Sequence, residues 1–117
     1  MLKVFQEKDK VIVDLGGRIR DVLLTCGEAE NFEKALRVFA EVASLEPAEL
    51  NRGEAWGALV ESYDGKVVLR WYSPFGKGVT RIPLTVAAAI QLADMIKFKA
   101  QQAAYKMRFV TQYLGRN

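Results

Sequence analysis

The chain has no histidine and only one cysteine, Cys26, among its 117 residues. Without an imidazole, Ser-His-Asp and Cys-His nucleophilic machinery and His-ligated metals are excluded. A lone thiol excludes an internal disulfide and a cysteine-cluster zinc site, and Cys26 is expected to be a small buried apolar group. No uncharged apolar run reaches the ~18 residues of a transmembrane helix. The N-terminal MLKVFQEKDK lacks the apolar segment and cleavage site of a signal peptide. These absences point to a soluble, cytoplasmic, non-enzymatic protein with no cofactor, no metal and no membrane partner.

What the chain does have is an uneven distribution of charge. Residues 1 to 62 carry eight Lys/Arg against twelve Asp/Glu, a net −4, whereas residues 63 to 117 carry nine against two, a net +7. Such asymmetry suggests an anionic partner docked on the second half, with solubility as the plainer reading. The length fits one domain over 1–117: a helix-and-sheet core over 1–84 and a long C-terminal helix over 85–114.

Taken in order, LKVFQ and VIVDL read as short strands around the turn EKDK, and Val11, Val13 and Leu15 alternate onto one apolar face. After Gly16-Gly17, RIRDVLLT fits either a return strand or a helical turn. The string VIVDLGGRIRDVLL looks like the phosphate-binding hairpin of sugar kinases with the actin-like fold, but that fold needs two large domains that this length cannot hold. From 29 to 45, Phe32, Ala35, Leu36, Phe39, Val42 and Ala43 recur at helical spacing, opposite a solvent face of Glu30, Glu33, Lys34, Arg37 and Glu41. Pro47 ends that helix, and PAELNRG is expected to be a connector.

The most informative stretch is EAWGALVESYDGKVVLRWYSPFGKGVTR, residues 54 to 81. Asp64-Gly65 can supply both positive-φ positions of a type I′ turn, which pairs Tyr63 with Lys66, Glu61 with Val68 and Leu59 with Arg70. The loop SPFGKG then brings Val79 opposite Tyr72, Arg81 opposite Arg70 and Ile82 opposite Leu69. One face is nearly all apolar, with Trp56, Ala58, Val60, Val67, Leu69 and Trp71, and is expected to face the core; the tryptophans would otherwise serve as a ligand platform. The open face presents Tyr63, Lys66, Val68, Arg70, Tyr72 and Arg81, with Phe75 and Lys77 on the adjoining loop. Arg70 beside Arg81 is a destabilising pair that an anion would neutralise.

Thr85 can cap a helix in which neither glycine nor proline occurs from Val86 to Leu114. Val86, Ala89, Ala93, Ile96, Ala100, Ala103, Met107, Val110 and Leu114 follow strict 3,4 spacing, and Met95, Phe98, Tyr105 and Phe109 lie nearly opposite. A helix apolar on two sides needs two neighbours. The first stripe is expected to meet its copy in a homodimer, with burial under the 29–45 helix as the alternative. The fold class expected is therefore α+β: an antiparallel sheet packed against an amphipathic helix and a long, dimerising C-terminal helix.

Aromatic rings that stack on bases beside cations that neutralise phosphates suit single-stranded nucleic acid. The segment VVLRWYSPFGKGVTRIPLT followed by a helix resembles the strand, loop, KG, strand, LT and helix order of PC4-like single-stranded DNA-binding proteins. The whole layout is similar to that of the ThermoDBP-related archaeal single-stranded nucleic-acid-binding proteins. That resemblance implies a cleft with an apolar base and basic walls, helix-mediated dimers, and phosphate and base contacts from Arg70, Tyr72, Lys77 and Arg81. Sequence-tolerant binding of single-stranded DNA or RNA is the function expected. The alternative is a protein-interaction module recruiting a different partner through the C-terminal helix.

Overall fold

The computed structural model describes residues 3–14, 22–55, 58–72 and 79–113. The chain is α+β. In order it forms β1 (Lys3–Glu7), β2 (Lys10–Asp14), β3 (Val22–Leu24), α1 (Cys26–Leu45), β4 (Asn51–Ala55), β5 (Ala58–Tyr63), β6 (Lys66–Tyr72), β7 (Val79–Thr85) and α2 (Val86–Tyr113). The strands make two antiparallel sheets, β1-β2-β3 and β4-β5-β6-β7, packed against the helices. A single sheet was expected, but the first three strands pair only with one another. Two compact units result, one from Met1–Glu30 with Asp94–Asn117, the other from Asn31–Ala93.

In the first unit, β1 and β2 join through Lys8 and Asp9, with Lys8 at φ 55. Gln6 Nε2 donates to the Lys8 carbonyl and helps to hold the turn. A β-carbon in the left-handed region costs about 1 kcal/mol. Lys8→Gly, which also gains entropy when unfolded, is therefore expected to raise stability by about 0.5 kcal/mol in urea melts. The segment whose periodicity was ambiguous is strand at β3, while Leu15, Gly16 and Gly17 lie outside the described residues.

Helix α1 begins earlier than apolar spacing indicates, because Thr25 and Glu28 form a capping box. The Glu28 amide donates to Thr25 Oγ1 at 3.2 Å, and the Thr25 amide donates to Glu28 Oε1 at 3.0 Å. Cys26 in its first turn is half-buried rather than enclosed, its Sγ 3.6 Å from the Asp9 carbonyl and 3.9 Å from that of Ala100.

In the second unit, α1 buries Phe32, Leu36, Ala40 and Ala43. Glu33, expected in solvent, is buried as well, and its carboxylate accepts from Arg37 Nε one turn on. Between β5 and β6, Asp64 at φ 54 and Gly65 at φ 70 make the two-residue turn that Asp-Gly favours. The Gly65 amide donates to the Pro47 carbonyl at 3.2 Å, tying the turn to the connector after α1. The four-stranded sheet takes the register set by that turn, with Tyr63 opposite Lys66, Glu61 opposite Val68 and Arg70 opposite Arg81. Edge strand β7 carries Pro83 opposite Val68. Thr85 caps α2, its Oγ1 accepting from the Ala88 amide at 3.1 Å.

Candidate functional site

The two faces of β4–β7 divide as side-chain alternation requires. Val60, Val67 and Leu69 are fully buried and Leu84 nearly so. Gly53 shares their face by register, and a β-carbon there would sit 2.9 Å from the Phe39 ring, so α1 covers this side. Trp71 shares the register face of Leu69; Trp56 lies outside the described residues.

The other face holds the candidate site. Tyr63, Lys66 and Arg81 are exposed there, with Tyr63 at 54%. Arg70 is half-buried. Tyr72 is in register on the same face opposite Val79, though its side chain lies outside the described residues, as do Phe75 and Lys77 altogether. The structure thus brings Tyr63, Lys66, Arg70 and Arg81 onto one surface.

Arg52 escaped the sequence reading of this surface, and Glu61, placed here by its pairing with Val68, has a role that reading did not give it. Arg52, placed in the connector, is in fact on β4 opposite Glu61, exposed on the open side. Glu61 itself is only 2% exposed. Its Oε1 accepts from Arg70 Nη1 at 2.8 Å along the diagonal to β6 and lies 3.2 Å from Arg52 Nε on β4. The anion expected to relieve the Arg70–Arg81 juxtaposition is therefore supplied by the chain. Burying a carboxylate so fully is costly unless cations pair with it.

Charge also grades along the sheet. Beyond α1, a hydrogen bond that the protonated Glu46 carboxyl donates to the Glu49 carboxylate, together with the Glu49 charge, raises the Glu46 carboxyl above its ordinary value. These acids flank Pro47, which bonds the β5–β6 turn, so with Asp64 they put negative charge at the turn end.

The expected dimer stripe on α2 has a different setting. Ala89, Ala93, Ile96 and Ala103 are all fully enclosed within the single chain, and Val86 and Ala100 are half-buried. The side chains of Met107 and Val110, and Leu114 altogether, lie outside the described residues. Small residues at these positions let the helix approach its own core closely. The outward side is the other one, with Met95, Phe98 and Tyr105 exposed and Lys99 Nζ 5.6 Å from the Phe98 ring centre.

Among the described residues no cluster of three or more His, Cys, Asp or Glu could hold a metal, and no helix is long and apolar enough to cross a membrane. No protein-family model, curated protein or solved structure matches the chain.

Proposed function

We propose that the protein is a cytoplasmic, non-enzymatic binder of single-stranded nucleic acid, using the open face of β4–β7. The observation that carries this reading is the cross-strand grouping of exposed Arg52, Lys66 and Arg81 with exposed Tyr63, around one carboxylate already engaged by Arg52 and Arg70. Cations fixed on neighbouring strands can follow a phosphate backbone, and an exposed ring offers a stacking surface to any base. Nothing on this face reads a base edge, so modest sequence preference is expected.

With Glu61 cancelling one of the four cations, about three phosphates are neutralised, giving a log-log salt slope near −2 at roughly −0.7 per phosphate. Fluorescence anisotropy with labelled single-stranded DNA and RNA tests the reading. Micromolar or tighter binding at low salt is expected. Tyr63→Ala should weaken it by about 1 kcal/mol, a factor near 5, the low end for a stacked base. Arg81→Ala should flatten the salt slope by about 0.7. A flat titration at low salt would remove the proposal.

A further inference from the structure

The three-stranded sheet covers one face and leaves the other open. Val4, Val11, Val13, Val22 and Leu24 are buried on the inner side. On the outer side Phe5, Ile12 and Leu23 stand in register across β1, β2 and β3. Phe5 is 47% and Leu23 54% exposed, with Ile12 half-buried between them. An apolar row facing water forgoes the further burial that its half-covered side chains would gain against a partner. On either side of the row the register sets a mixed pair of charges, Lys3 opposite Asp14 and Glu7 opposite Lys10.

We propose that this face docks a second copy of the chain, sheet against sheet, about a two-fold axis lying along the Phe5–Ile12–Leu23 row. The charge pattern selects both the occupant and the axis. Rotation about that row leaves each strand over its own copy and reverses its direction. Each apolar residue then meets its twin, Lys3 faces Glu7 of the second copy, and Asp14 faces Lys10 of the second copy. The symmetric contacts double both pairings, so all four contacts join opposite signs. Asp14 has a partner within its own chain and would add Lys10 of the second copy to it. Lys10, 3.9 Å from Asp9 in a solvent-exposed pair, can turn toward the new carboxylate. A two-fold axis along the strands would instead stack Lys10 on Lys10 and Asp14 on Asp14, a repulsive arrangement. The pattern is therefore self-complementary in one orientation, as an isologous interface must be.

The interface is small. Three strands about 4.8 Å apart and five residues rising about 3.4 Å each give a footprint of roughly 14 by 17 Å. That is well below the ~800 Å² per partner of a standard interface, so dissociation in the micromolar range or weaker is expected. The proposal does not depend on nucleic-acid binding by the second sheet.

Sedimentation equilibrium of the full chain from ~1 µM to ~1 mM would show a monomer–dimer equilibrium. Leu23→Lys, an exposed substitution expected to leave the urea midpoint close to that of wild type, should leave a monomer throughout. Lys3→Glu should weaken the dimer about 10-fold by facing Glu7 of the second copy with a like charge, and adding Glu7→Lys should restore it to within about 3-fold. A monomer at the highest concentration overturns the proposal. So does a dimer that Leu23→Lys leaves intact, which would place the contact elsewhere, or a double variant no tighter than Lys3→Glu alone.

Discussion

Glu61→Gln is expected to lower unfolding stability by about 2–3 kcal/mol while tightening oligonucleotide binding. The stability loss follows from burial: Glu61 is 2% exposed and its Oε1 serves both Arg70 and Arg52. Breaking an enclosed ion pair from one side costs about 3–5 kcal/mol, and the amide oxygen that remains can still accept from Arg70, which reduces the loss. Binding moves in the opposite direction. Removing the open face's enclosed carboxylate releases one cation toward phosphate, steepening the salt slope from near −2 toward −3 at roughly −0.7 per phosphate. Urea melts and anisotropy titrations at several salt concentrations read the two effects separately. Equal stability would mean that the carboxylate is not the keystone of the three-residue cluster. Unchanged affinity would mean that the polymer does not touch Arg52 or Arg70.

Gly53→Val is expected to cost about 2–3 kcal/mol through overpacking. The built β-carbon falls 2.9 Å from Phe39 Cζ and 3.1 Å from Cε2, so the ring must shift before any side chain fits. The strain is specific to that ring, and a double-mutant cycle exposes it. Paired with Phe39→Ala, which empties the space, Gly53→Val should cost about 1–2 kcal/mol less than it does alone. If the two substitutions add without coupling, α1 does not rest its ring on β4. No special backbone angle enters here, since the close approach of helix to strand alone calls for glycine.

Much of the second sheet was legible because its determinants are local. Asp64-Gly65 dictates a turn, the turn dictates a register, and alternation then assigns Val60, Val67 and Leu69 to the core. Thr85 and the unbroken run after it fixed α2 in the same way. Less local features were missed. The pairing of Glu61 with Arg70 crosses strands on a diagonal, and Arg52 joins only through β4, where NRGEA has no apolar alternation to betray a strand. The direction of the α2 stripe was misjudged for another reason. Periodicity shows that Ala89, Ala93 and Ile96 share a side, but it does not say whether the chain or another molecule covers them. The capping box at Thr25 and Glu28 was within reach, four residues ahead of the assigned helix start.

Pro83 bears on how this sheet behaves in a crowded solution. A two-residue turn makes Tyr63 and Lys66 a hydrogen-bonded pair, and alternation along β6 makes Val68 opposite Pro83 a pair without ladder hydrogen bonds. The proline nitrogen therefore faces outward along the free edge of β7, where a hydrogen-bond donor would otherwise await another strand. An incoming extended chain finds a gap in the row of donors midway along the edge, and the edge is a poor template for growth. The basic face is thus bounded on this side by an edge that resists fibril-like stacking.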